Sequence, residues 1–186
     1  MRKTLWVLLG IVAAVLLWSI VKYNSFIKKE ETIDNAWSQV ENVYQRRMDL
    51  IPSLIAIVQS YTDYEQQTLI ETVEARAQQA SALTVNPETA SDGQLTGFDQ
   101  AQQQLGIAVN DVIVSIENYP DLKAAESYQT FLAQYAGCEN RIFVERGRYN
   151  QAALDYNSAI RRFPGNIIAN QFGFEKRPYF ESDTQN

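Results

Sequence analysis

The chain has 186 residues, 46% of them hydrophobic and 20% charged, with a formal net charge of −6. That length suits one domain with a sizeable core. Histidine is absent and cysteine occurs once, at Cys138. This excludes histidine general bases, Ser-His-Asp and Cys-His arrangements, imidazole metal sites, an internal disulfide and CxxC motifs.

Thr4 to Val21 is uncharged and almost wholly apolar. As a helix these residues rise about 27 Å, against a hydrocarbon thickness of roughly 30 Å. Trp6 and Trp18 lie near its two ends and Lys22 follows it, a pattern of interfacial anchors. Trp18, Ile20, Val21, Lys22 and Tyr23 make a poor signal-peptidase site, so residues 1–23 read as an uncleaved membrane anchor. Arg2 and Lys3 before the span balance Lys22, Lys28 and Lys29 after it, so the positive-inside rule does not decide the orientation.

Residues 24–186 read as a helical domain. Phe26, Ile33, Trp37, Val40, Tyr44, Ile51, Leu54, Val58 and Tyr61 are spaced by three, four or seven, the repeat of a helix packing on helices. Pro52 is expected to kink this helix without ending it, because the seam continues in phase. A continuous helix from Leu5 to Tyr61 would reach about 85 Å and carry the domain well clear of the headgroups. A second helix is expected over about 63–83. TVNPETASDGQLTG (84–97) reads as the longest loop. A third helix is expected over about 98–118, stopping before Pro120. The fourth spans about 122–163, with Tyr135, Cys138, Ile142, Glu145, Tyr149, Ala152, Tyr156, Ala159 and Phe163 on its seam, and Pro164-Gly165 ends it. The fold class is therefore all-α: an N-terminal transmembrane helix followed by an antiparallel up-and-down four-helix bundle.

Few residues offer chemistry. Arg47 and Glu145 occupy apolar seam positions on different helices, and Arg47 is expected to pair with Glu145 or Glu139. A register-setting ion pair is the plainer reading and a small buried polar site the sharper one. Between Asp63 and Glu139 there are 12 acidic residues and two basic ones, Arg76 and Lys123. This charge argues against nucleic acid as a partner. No Gly-rich phosphate loop or calcium loop appears, so no cofactor or metal is expected. Cys138 reads as a buried, inert thiol. The segment 164–186 reads as an extended aromatic tail packing on the bundle, with Phe172, Phe174, Arg177, Tyr179 and Phe180 as docking candidates.

Several stretches together resemble the LemA family of bacterial membrane-associated proteins. They are AWSQVENVYQRRMDLIPSLI (36–55), ETVEARAQ (71–78), NYPDLKA (118–124), ENRI (139–142), YNQAALDYNSAIRRFPGNIIA (149–169) and FGFEKRPYF (172–180). The resemblance implies an N-terminal membrane segment and an up-and-down helical bundle, and carries over no catalytic residue. Genes of the family often neighbour membrane metalloproteases or other envelope proteins, which is association and not mechanism. Some members resemble lipoproteins, whose lipobox places the bundle outside the cytoplasm. This chain has Val21-Lys22 there and no cysteine. Others are described with a cytoplasmic body.

The expected function is a non-enzymatic, single-pass protein of the bacterial inner membrane. It is held in the bilayer through residues 4–21, with an extracytoplasmic bundle and a cytoplasmic one as the alternative. Its bundle would bind another envelope protein or further copies of itself. The rival readings are an adaptor or regulator of a membrane metalloprotease or envelope stress system, and an enzyme built on Arg47, Glu139 and Glu145.

Overall fold

The computed structural model describes residues 2–61, 66–86 and 89–180, and the side chains of these except Arg2. Among the described residues six helices follow one another: α1 (Arg2–Gln59), α2 (Gln67–Ser81), α3 (Asp92–Ile116), α4 (Pro120–Ala124), α5 (Glu126–Arg161) and α6 (Gly165–Phe172). No strand occurs among the described residues.

The 58 residues of α1 form one helix that passes through Pro52. Pro52 is solvent-exposed, so the lost backbone bond to Met48 lies on the face where water can replace it. The end of α1 is satisfied locally. The Ser60 and Tyr61 amides donate to the Ala56 and Val58 carbonyls, and the Ser60 hydroxyl donates to Ile57. Every seam residue from Phe26 to Val58 is buried, whereas none of residues 3–17 is. One helix thus carries two different surfaces. Its first third is apolar on all sides and uncovered, and the remainder is apolar only on the stripe that faces other helices.

α1 packs most extensively against α5, and α2 against α3. Tyr156 of α5 meets Glu30 of α1, and Glu139 meets Arg47. Residue numbers therefore fall along α5 as they rise along α1. The core forms two clusters, a proximal one nearer the apolar stretch of α1 and a distal one farther from it. The proximal one gathers Phe26 to Tyr44 of α1, Leu95 and Phe98 of α3, Cys138 to Ile160 of α5, and Ile168, Ala169 and Phe180 beyond. The other gathers Ile51 to Val58, the buried faces of α2 and of α3 from Ala101, Leu122 of α4, and Tyr128 to Tyr135 of α5.

Several boundaries differ from the sequence reading. The helix expected from residue 98 begins at Asp92, because Ser91 and Gln94 form a capping box: the Gln94 amide donates to Ser91 Oγ and the Ser91 amide to Gln94 Oε1. The loop is shorter accordingly. The helix expected over 122–163 is two, α4 and α5, divided at extended Ala125. Pro120 opens α4, where its missing N–H costs nothing, and Leu122 is buried beneath the distal cluster. The inner face of α5 also shifts near its end. Ala153 and Ile160 are buried in place of Ala152 and Ala159, because 3.6 residues per turn drifts off a strict heptad, and Phe163, 81% exposed, lies past the end of the helix at Arg161.

The segment from residue 164 is not extended throughout. Residues 165–172 form α6, which buries Gly165, Ile168 and Ala169. Gly173 ends it at φ 74°, and the Phe174 amide donates back to the Ala169 carbonyl, a turn that glycine adopts without strain. Residues Phe174 to Phe180 follow without regular secondary structure. Residues 181–186 of the expected tail lie outside the described residues.

Candidate functional site

A polar layer lies where the two apolar clusters meet. Arg47, 3% exposed, enters it from the inner stripe of α1. Its Nη1 donates to Glu139 Oε1 on α5 at 3.1 Å, and its Nη2 donates to Gln102 on α3, at 2.7 Å to the backbone carbonyl and 2.5 Å to Oε1. One guanidinium thus joins three helices, as its planar fork allows. The neighbouring Gly106 leaves room: a Cβ there would stand 3.5 Å from Arg47 Nη1. The guanidinium also lies 5.1 Å from the ring of Tyr44.

Glu145 is not the partner of Arg47. It accepts from Arg148 at 2.8 Å, one turn along α5, with its other oxygen buried. Arg47 reaches Glu139 because residues 138 and 139 lie at its level along α1, the Cys138 thiol donating to the Val43 carbonyl at 3.4 Å. Glu145 lies about 9 Å further along the axis at 1.5 Å per residue. Arg47, Glu139 and Glu145 therefore do not converge on one site. A second pair, Arg146 with Asp99 at 2.9 Å, joins α5 to α3. Sequence reasoning missed it. Asp99 and Gln102 are three residues apart on the buried face of α3, and that polar spacing within an apolar stripe was the available signal.

Burial pushes the Tyr44 and Tyr135 phenols up from their ordinary value, and the Glu139 carboxylate beside Tyr135 adds to the rise there. Burial also raises the Cys138 thiol, aided by Glu139. A protonated, buried thiol is a weak nucleophile. Among the described residues, no three of His, Cys, Asp and Glu are gathered where a metal ion would sit.

The tail is held by its backbone. Asn150 and Asn157 lie two turns apart on α5. Asn157 accepts from the Arg177 amide at 2.9 Å and donates to its carbonyl at 2.8 Å. Asn150 does the same for Phe180, at 2.8 and 2.9 Å. Two turns of helix and three extended residues both span about 10 Å, so the two ladders match. Phe180 fills the space between: it stacks on Trp37 at 5.9 Å, meets Tyr149 edge-on at 5.3 Å and lies 5.0 Å from the Arg146 guanidinium. Arg177 donates to Glu30 at 3.2 Å, and Glu30 also accepts from the Tyr156 hydroxyl.

Of the five docking candidates, Arg177 and Phe180 are buried, Phe174 is half-buried against Tyr23 and Phe26, and Phe172 and Tyr179 are exposed. Tyr179 accepts from Asn157 through its hydroxyl. At the other end, Trp6 is exposed, while Trp18 and Lys22 are half-buried and Trp18 packs against the proximal cluster. The core therefore reaches down to the last turn of the apolar stretch and does not stand clear of it.

The model of the LemA family matches residues 36–186. The chain belongs to the LemA family. It is 25% identical over 186 residues to Magnetosome protein MamQ 2 of Paramagnetospirillum magneticum, covering 91% of this chain and 68% of that one. It is 25% identical to Magnetosome protein MamQ of Magnetospirillum gryphiswaldense, covering 87% and 65%. It is 23% identical to Protein LemA of Metamycoplasma hominis, covering 86% and 68%. This LemA-family chain thus spans about two thirds of the relatives' length. The family match includes the polar layer, both asparagine clamps and the docked part of the tail. Membership and the uncovered apolar stretch of α1, long enough to cross a membrane, together support a membrane-associated protein.

Proposed function

We propose that this LemA-family chain is a non-enzymatic, single-pass protein of the bacterial inner membrane whose helical domain binds other envelope proteins or further copies of itself. One observation carries the reading. α1 continues unbroken from an apolar stretch that is uncovered over residues 3–17 into the stripe that forms the core. An exposed apolar surface of that extent is unfavourable in water and favourable in a bilayer. In this reading α1, α2, α3 and α5 form an antiparallel up-and-down bundle. The opposite sense of the α1–α5 contacts and the short connections elsewhere support it. Residues 1–23 are the anchor and 24–186 the domain, on the extracytoplasmic side.

The experiment is protease accessibility in intact cells, opened spheroplasts and lysed membranes. Digestion of the domain on opening the outer barrier is the expected result. Protection until the inner membrane is lysed would move the domain to the cytoplasm. Chemical cross-linking in membranes tests self-association, and monomer alone would count against it. An adaptor role toward a membrane protease is the second reading. Ile107 and Val114 are 61% and 66% exposed, seven residues apart on α3 with Asp111 between them. That apolar, acidic stripe suits a protein partner. Charged substitutions at Ile107 and Val114 are expected to abolish partner capture and leave the fold intact. Unchanged capture would remove this face from the proposal.

A further inference from the structure

The end of the bundle where α6 lies carries apolar side chains that stay largely exposed. Phe163 is 81% exposed, Ile167 60% and Phe172 59%. Their position relative to α1 is fixed by direct contacts. Phe172 meets the Tyr23 ring at 5.0 Å, and a Cβ on Gly165 would stand 3.2 Å from the Phe26 ring. Trp18 packs against the same cluster as Ile168 and Ala169. Tyr23 and Phe26 lie two and five residues beyond Val21, hence about 3 and 8 Å along the helix axis from the end of the apolar stretch. α6 is therefore level with the last turn of that stretch and the first turns after it. The local charge matches this place. Residues 161–172 include Arg161 and Arg162, both exposed, and no acidic residue, while Lys22 follows the apolar stretch on α1. The acidic residues concentrate between 63 and 139 instead.

We propose that α6 and the Phe163 turn before it form a second membrane contact, resting in the headgroup and acyl boundary of the same bilayer that holds α1. The proposal rests on α1 spanning that bilayer. Amphipathic helices at membrane surfaces bury their apolar side chains about 5–10 Å into this boundary and favour flanking arginine or lysine beside anionic lipid. Phe163, Ile167 and Phe172 supply the apolar part, and Arg161, Arg162 and Lys22 the phosphate-seeking part. With α1 and α6 both engaged, the domain cannot swing freely about a single helix, and the acidic region is directed away from the lipid.

The test uses the full chain in vesicles of phosphatidylcholine and phosphatidylglycerol. Cys138→Ser keeps the donor to the Val43 carbonyl and removes the native thiol. A nitroxide is then attached through Ile167→Cys, and in separate samples through Val12→Cys within the apolar stretch and Ala133→Cys on the exposed surface of α5. Collision with oxygen and with a water-soluble nickel chelate reads depth. The expected result is loss of nickel access at position 167, with oxygen access retained, between the hydrocarbon value at 12 and the aqueous value at 133. An aqueous value at 167 with a hydrocarbon value at 12 would overturn the α6 contact and leave the anchor standing. An aqueous value at 12 would overturn the anchor and the proposal with it. Protection of 167 from both reagents, with spin–spin broadening that grows with protein concentration, would mean that a second copy covers α6, and would also overturn the proposal.

Discussion

Position 47 holds a charge where the heptad asks for an apolar side chain, and the structure resolves the conflict by surrounding Arg47 with acceptors. The side chain of Glu139 is 37% exposed, so it regains water if its partner is lost, whereas Gln102 is buried and does not. Arg47→Leu is therefore expected to cost about 1–3 kcal/mol, the penalty of stranded acceptors, read by chemical denaturation. Combined with Glu139→Gln it should show coupling, and combined with Glu145→Gln the effects should add. Additivity with Glu139 would dissolve the pair. Gly106→Ala is expected to be neutral or to stabilise by up to about 1 kcal/mol, since the new methyl group meets Arg47 at ordinary contact distance. Tyr149 gives a pH signature. Burial pushes its phenol from 10.0 up to about 12. Below pH 10 the phenol is protonated folded and unfolded, and its contribution is fully present. Between pH 10 and about 12 the unfolded chain releases the proton first, so stability falls as pH rises. Thermal melts across this window should show a shallower fall for Tyr149→Phe. An identical fall would assign the alkaline loss to the other buried tyrosines.

At the scale of elements, the tail behaves as part of the core and not as an appendage. Phe180 contributes an aromatic ring to the proximal cluster, and Asn150 and Asn157 pair its backbone much as a neighbouring strand would. Phe180→Ala is expected to cost about 3–5 kcal/mol as a core truncation. Asn150→Ala and Asn157→Ala should each expose the backbone after Lys176 to trypsin well before the helices are cut. Cleavage no faster than in the parent chain would mean that Phe180 alone holds the tail. Removing residues 172–186 therefore tests folding before it tests partner capture. Gly173→Ala should cost about 1–2 kcal/mol, because the φ of 74° strains any residue with a Cβ.

At the scale of the whole molecule, the helices do not contribute equally. The α1–α5 pair is the most extensive contact, and α2 meets α3 more than it meets α1. Hydrogen exchange should accordingly find α2 and α3 opening together at lower free energy than the buried parts of α1 and α5. Uniform protection across all four would mean that the polar layer locks them into one cooperative unit. That layer joins α1, α3 and α5 through Arg47, and α3, α5 and the tail through Arg146. The elements it ties belong to both clusters, and it is where a change in one half of the domain would reach the other.

What the chain alone determined was periodicity. The spacing from Phe26 to Val58 marked a helix with one buried stripe, the uncharged run from Thr4 to Val21 marked a stretch suited to lipid, and the motif order pointed to the family. These signals are local and repeat many times, so each is legible without knowing what lies opposite. Pairing was decided only in three dimensions. Glu139 and Glu145 are equally acidic and six residues apart, and only the register of α5 against α1 chose between them. α6 is too short for periodicity to announce it, and its helix is held by Phe26, Tyr23 and the Gly173 turn. The asparagine clamps carry no pattern at all until an extended backbone lies about three ångströms away, because a side-chain amide reads geometry and not sequence.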